Sequence, residues 1–313
     1  MKNRLLIIVL LTSLSFLSET KAQQDAQYTQ YMYNTMSVNP AYAGQRETFS
    51  ALLLHRAQWV GLEGAPRTQT LNVHAPLDYD GRLGLGVSII NDEIGPTKET
   101  HFDIDFSYTI HTSYDGRFSF GLKAGGHLMD VDYNKLNKYN PNDVLLQYNI
   151  ENKFEPNVGV GFYYRNGDRW YVGLSAPNLL ETDHFGNNDD QIYSVASEQI
   201  HYYLIGGYVF DVNPDLKLKP AVLFKGVQGA PLQADVSVNA LLKDKLTLGV
   251  AYRWSAAFSG LLGYQLTPDL MLGVAYDREV TDLGKTKYEK GSFEFFLRFE
   301  LFKNSKILSP RFF

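Results

Sequence analysis

The 313-residue chain contains no cysteine. Disulfides and thiolate metal sites are therefore excluded, as is a lipid attached to a cysteine behind a leader. After the first 22 residues, no run is apolar and long enough to cross a bilayer as a helix. An excess of basic residues is also missing. Lys and Arg number 29 against 34 Asp and Glu, the net charge is -5 and the pI is about 5.8, which argues against a nucleic-acid partner. Proline is scarce, with 12 residues against 26 glycines, while 21 Tyr and 19 Phe are plentiful. That balance suits many twisted strands better than a disordered tail. The mean hydropathy of -0.23 reads as soluble, but the average hides an ordered alternation.

The first stretch has the form of an export signal. Lys2 and Arg4 supply the positive start, residues 5–17 the apolar core, and Thr20-Lys21-Ala22 a small-residue cut site. This predicts a signal peptide over 1–22 and a mature chain from Gln23. The apolar run is shorter than the roughly 20 residues of a spanning helix.

Beyond residue 46 the chain repeats with period two. In "RLGLGVSIIND", Leu83, Leu85, Val87 and Ile89 fall opposite Arg82, Gly84, Gly86 and Ser88. In "HFDIDFSYTIH", Phe102, Ile104, Phe106, Tyr108 and Ile110 fall opposite His101, Asp103, Asp105, Ser107, Thr109 and His111. The same rhythm sets Phe118, Phe120 and Leu122 against Arg117, Ser119, Lys123 and His127. It also sets Val236 and Val238 against Asp235 and Ser237, and Phe293, Phe295, Leu297, Phe299 and Leu301 against Glu294, Arg298 and Glu300. Period two is the signature of a strand with one apolar and one polar face. About fourteen such segments occur, each near the 9–11 residues that cross a membrane at a tilt.

A soluble sandwich shares this alternation, so the connections decide. Tight-turn residues fall at Asp78-Tyr79-Asp80-Gly81, Ser113-Tyr114-Asp115-Gly116, Asn166-Gly167-Asp168, Asn213-Pro214-Asp215, Lys243-Asp244 and Thr267-Pro268-Asp269. Between them come mostly longer polar links at 60–66, 91–99, 131–153, 178–199 and 279–290, with short ones near Gln228 and Ser255. Short and long links alternate, as in an up-and-down antiparallel barrel with turns on one rim and loops on the other. In outer-membrane barrels the turns face the periplasm. An even strand count then puts both termini on that side. Trp59, Trp170, Tyr171, Trp254 and Tyr276 lie at strand ends, where interfacial aromatics belong, and the chain closes on Phe312-Phe313. The expected fold is a transmembrane β-barrel over 47–313, with Arg82, Asp103, Asp105, Arg117, Lys123, Asp235, Arg253, Glu294 and Arg298 facing the lumen. Their mixed signs predict pairing across the barrel in place of an ion-selective pore.

"QYTQYMYNTMSVNPAYAG" (27–44) precedes the first strand. Tyr28, Tyr31, Met32 and Met36 are spaced by three and four, which predicts one side of a short helix. Asn39-Pro40 ends it, because the residue before proline avoids helical geometry. Gly44 lets the chain turn into the first strand. Residues 23–46 thus form a plug starting on the periplasmic side, packed into or under the barrel mouth, or a docking surface for a partner.

This stretch, with its Asn39-Pro40-Ala41-Tyr42-Ala43-Gly44 block, resembles the PorP/SprF family of type IX secretion system outer-membrane proteins. "HRAQWVGLEGAPRTQTLNVHAPL" (55–77), "GLGVSIINDEIGPT" (84–97), "YVGLSAPNLL" (171–180) and the terminal "SPRFF" are similar to further family blocks. The resemblance implies a non-enzymatic outer-membrane role in type IX secretion, with periplasmic or outer-membrane components of that system as partners. It also implies service to a secreted adhesin with a C-terminal sorting region, including adhesins that support gliding. Some members look like parts of the core machine, others like partners of one cargo. The second kind is favoured here, with loops 131–153 and 178–199 extracellular and carrying partner specificity. A channel for solutes or apolar molecules is the alternative.

No catalytic constellation stands out. Gly84 and Gly86 lack the third glycine and helix start of a nucleotide loop. "DVDYNKLNKYNPND" (130–143) opens like a calcium loop but has Lys135 at the sixth position and Pro141 at the twelfth. His101, Asp103 and Asp105 read better as a lumen wall balanced by Arg117 or Lys123 than as metal ligands. No cofactor is expected.

Overall fold

The computed structural model describes residues 26–136, 149–180, 199–286 and 289–301. The expected signal peptide, the terminal Phe312-Phe313 and most of the two long loops lie outside the described residues. Among those described, fourteen antiparallel strands close into one barrel. They are β1 (Phe49–Ala57), β2 (Arg67–Pro76), β3 (Leu83–Ile94), β4 (Thr97–His111), β5 (Gly116–Val131), β6 (Ile150–Asn166) and β7 (Trp170–Ala176). β8 runs as His201–Tyr208 and Phe210–Asn213, interrupted at Val209. β9 (Leu216–Val227), β10 (Gln233–Leu242), β11 (Leu246–Arg253), β12 (Ala257–Thr267), β13 (Leu270–Glu279) and β14 (Ser292–Leu301) complete the wall. Each strand bonds to its sequence neighbours. β1 bonds to β14 with Phe49 opposite Leu301 and Ala57 opposite Phe293, so no edge is left open.

The period-two pattern sets which face turns outward. On β4, Ile104 is 56% exposed while Asp105 beside it is fully buried. Leu122, Val250 and Phe295 likewise face outward, while Lys123, Arg253 and Glu294 face in. A largely apolar exterior is what a bilayer requires of a barrel wall.

Three expectations are corrected. Residues 91–99 are not a loop. Ile94 pairs with Thr97 across Gly95-Pro96, and the strands continue through the polar stretch. β4, β5 and β6 reach 15, 16 and 17 residues, so this side of the barrel rises beyond a bilayer-matched length, where both faces of a strand tolerate polar groups. Arg82 is not in the lumen. It sits in the exposed turn before β3, 3.9 Å from Asp80. In the same turn Asp78 accepts a 2.7 Å bond from the Leu83 N–H, which holds its carboxyl below the usual carboxylate range. Tyr171 is not an interfacial aromatic. It is buried inside, stacked on Tyr163 at 5.7 Å.

Candidate functional site

The lumen is occupied by the chain itself. Residues 27–46 run through it, and the barrel wall surrounds them. The course is fixed at both ends. Gln27 and Tyr28 meet Arg253, whose guanidinium donates to the Gln27 side chain and the Tyr28 carbonyl at 3.1 and 3.3 Å. The Tyr28 hydroxyl lies 2.9 Å from the Thr70 hydroxyl. The Thr29 and Gln30 N–H groups donate to the two oxygens of Glu294 at 2.9 and 2.8 Å. Arg56, Arg253, Asp277 and Glu294 all stand near the loop ends of their strands. Gly44 to Glu47 lie at the other rim. There the Gly44 N–H donates to His74 Nδ1 at 3.1 Å, Arg46 pairs with Glu300, and Glu47 bonds to Arg117 and Arg165.

This corrects the expectation that the segment starts on the turn side. The barrel's own ends, Phe49 and Leu301, are at the turn rim, but the described chain begins at the loop rim and descends. The helix is also shorter than the spacing predicts, covering only Thr35–Val38. The reason is enclosure. Thr29, Gln30, Asn34 and Thr35 are buried along with Tyr28, Tyr31, Met32 and Met36. A segment walled on all sides has no single apolar face to favour a helix. Wall side chains satisfy its backbone instead: Glu294 takes two N–H groups, Ser175 donates to the Val38 carbonyl at 2.6 Å, and Ser107 donates to the Ala43 carbonyl at 2.7 Å.

The Asn-Pro-Ala-Tyr-Ala-Gly block has a clear local logic. Asn39 is extended, as a residue before proline should be, and ends the helix. Its side-chain oxygen accepts from the Ala41 N–H at 3.0 Å, capping a single helical turn over Pro40–Tyr42. Its amide donates to the Phe162 carbonyl at 2.9 Å and so pins the turn to β6. Ala41 and Ala43 are fully buried against the wall. The wall is thinned to receive them. A Cβ on Gly121 would stand 2.1 Å from the Ala41 nitrogen, and one on Gly84 would stand 2.2 Å from the Ala43 carbonyl oxygen. Gly44 takes φ +74 and approaches Gly84 closely, so only glycine serves there. The Tyr42 ring meets Tyr163 edge-on at 5.4 Å.

Around the middle of the segment the wall carries an apolar belt that the alternation concealed. Leu52, Leu54, Tyr163, Ile205, Leu223 and Phe296 face inward and pack with Tyr31, Met32 and Met36 in one buried cluster. Tyr33 lies 4.7 Å from Phe296, with Lys219 and Arg298 cations 5.6 and 5.5 Å from its ring centre. The void bordered by Tyr33, Tyr42 and Arg298 holds only about 10 Å³, close to one water-sized sphere.

Eight of the nine expected lumen residues face inward, and they pair along the wall or with the segment, not across an open bore. Lys123 lies 3.2 Å from Asp103 and 3.6 Å from Asp105 on the neighbouring strand. Arg253 lies 3.0 Å from Asp235, and Arg298 lies 3.5 Å from Glu300. Arg117 meets Glu47 at the rim. Sequence reasoning missed the most enclosed group. Arg56 lies 2.7 Å from Asp277 and 3.1 Å from Glu294, all three almost without exposure, and donates to the Thr29 hydroxyl at 2.7 Å.

Among solved structures, the chain is similar to the CymD monoaromatic hydrocarbon channel, with 12% identity, a TM-score of 0.51 and coverage of 86% of this chain and 92% of that one. It is also similar to the Ralstonia pickettii toluene transporter TbuX, with 8% identity, a TM-score of 0.50 and coverage of 85% and 92%. At these identities the likeness is one of fold. No curated protein matches the sequence. The sequence matches the family described as Type IX secretion system membrane protein PorP/SprF over residues 20–299. That span takes in both the lumen segment and all but the last two residues of the barrel wall around it, and the chain accordingly belongs to the PorP/SprF family, as an outer-membrane component of type IX secretion.

Proposed function

We propose that this chain is a non-enzymatic, lumen-closed barrel that assists the export or surface attachment of one secreted adhesin, with its turns in the periplasm and its loops outside the cell. The observation that carries this reading is the filled bore. Within a secretion family, a barrel sealed by its own residues 27–46, with ion pairs at both rims and an apolar waist, is built to hold a partner instead of passing solute. The segment is a plug in this conformation. Tyr28, Tyr31, Met32, Met36 and Tyr42 are 2–6% exposed and Tyr33 is partly buried against Phe296, so they present no docking surface unless the segment leaves the bore. Partner contact then falls to the loop rim, including loops 131–153 and 178–199.

Purification of the full chain from its native membrane, with identification of what stays bound, tests the reading. A large protein with a C-terminal sorting region is the expected companion. Co-purification of core secretion components alone favours membership of the central machine. Steady solute conductance in a planar bilayer would overturn the closed-bore reading in favour of a channel. Deleting residues 24–36 separates the roles of the segment. Loss of assembly makes it structural, and loss of the partner from an assembled barrel makes it a docking element.

A further inference from the structure

The outer wall is uneven in one place. Gly260 on β12 faces the bilayer, opposite Val250 on β11 and Tyr276 on β13. A Cβ placed there meets no atom within 4 Å. With Val238, Leu262 and Val274 the gap forms a shallow apolar groove in the lipid-facing wall. The link between β11 and β12 above it is only three residues long, 254–256. Just above, toward the loops, aromatic rings mark the membrane interface, with Tyr252 against Phe258 at 4.5 Å. Arg278 stands at that level. It is exposed, two residues beyond Tyr276 on the same face of β13, and paired in register with Phe258. Its Cα therefore lies about 7 Å further along the wall than that of Tyr276 beside the notch. The Arg278 guanidinium donates to the Gly284 carbonyl at 3.1 Å, on the link that follows β13.

We propose that this groove is a binding site for one anionic membrane lipid, with an acyl chain in the notch at Gly260 and the headgroup phosphate at Arg278. The groove opens onto hydrocarbon, where a protein partner gains no hydrophobic advantage over lipid. An acyl chain fits any gap the wall leaves. The cation at headgroup level selects for negative charge, since a basic side chain near an anionic membrane surface is worth about 1 kcal/mol. Charge complementarity at the rim and continuity with the lipid-facing wall together identify the occupant.

The test uses the full chain in nanodiscs of mixed phosphatidylcholine and phosphatidylglycerol, with the lipids retained on the protein counted by native mass spectrometry. The wild-type protein is expected to retain phosphatidylglycerol in preference. Arg278→Gln should cut that preference about fivefold while leaving total retention nearly unchanged. Gly260→Leu fills the notch and should lower retention of both lipids. Val250→Trp fills the same notch from a residue already facing lipid, and it serves if Gly260→Leu fails to fold by heat-shifted gel migration. Retention unchanged by both filling variants overturns the acyl groove. Equal retention of the two lipids by the wild-type protein, unaffected by Arg278→Gln, overturns the headgroup site.

Discussion

Arg56 and Glu294 stand directly opposite each other across the seam where the first and last strands meet, and their charged groups are 3.1 Å apart with almost no exposure. The pair therefore joins barrel closure to plug seating, because the same Glu294 carboxylate holds the Thr29 and Gln30 N–H groups.

Removing Arg56 leaves Asp277 and Glu294 buried without a counter-charge. Arg56→Met is expected to destabilise the folded barrel by about 3–5 kcal/mol. Glu294→Gln keeps an acceptor for the segment and a shape match, so it should cost less. Urea unfolding of the two variants from detergent micelles, followed by gel mobility, ranks them. The reverse order would mean that the carboxylate matters more than the cation.

Ile104 and Asp103 are adjacent but face lipid and lumen. Ile104→Arg is expected to cost about 2–4 kcal/mol near the bilayer midplane. Asp103→Asn should be milder, since Lys123 keeps Asp105 within 3.6 Å. Refolding yield into micelles compares them, and equal tolerance would show the faces to be assigned wrongly.

The absence of cysteine makes the chain a clean background for a thiol reporter. Ala41 is fully buried between the segment and the wall at Gly121, so Ala41→Cys should resist a water-soluble maleimide in the folded barrel. Adding Gly121→Val places a side chain where Ala41 now sits, 2.1 Å from its nitrogen. That double variant should label readily while the barrel keeps its heat-shifted migration. Protection unchanged by Gly121→Val would mean that the turn is not seated on β5.

Exchange of 131–153 and 178–199 for the corresponding loops of a paralogue should redirect which adhesin reaches the cell surface. Surface proteomics after the swap reads the result, and an unaltered cargo would locate specificity elsewhere in the chain.

The strand order was legible because alternation and tight-turn residues are local signals. All fourteen strands correspond to segments of period two, and the turn rim falls at Asp78–Gly81 and its counterparts. Polarity was a poorer guide above the bilayer. Asn91, Asp92 and Glu93 look like loop residues, yet they pair with Thr100, Glu99 and Lys98 in regular register. The apolar waist had a signal that simple alternation overlooks. "ALLL" at 51–54 and "FEFF" at 293–296 contain consecutive apolar residues, so one of each adjacent pair must face inward: Leu52, Leu54 and Phe296 do. The balance of Asp103 and Asp105 by Lys123 was legible from adjacent strands, but the Arg56 cluster was beyond reach, since matching Arg56 to Asp277 and Glu294 needs the register of a seam that joins opposite ends of the sequence. Tyr28, Tyr31, Met32 and Met36 are buried, but not as one side of a helix, and the burial of Thr29, Gln30, Asn34 and Thr35 beside them had no apolar signal.

The bonds from Thr29 and Gln30 to Glu294 span 265 and 264 residues of sequence. They make the earliest described part of the chain depend on its last strand. A greasy segment near the start of the chain has its seat completed only when β14 has paired with β1. Until then its tyrosines and methionines are without shelter, and a chain stopped short of β14 has no way to provide it. Contacts so distant are slow to form, because the loop entropy is lost before they repay it. The interval before closure is therefore when these side chains are least sheltered, and the seating of Thr29 and Gln30 on Glu294 marks its end.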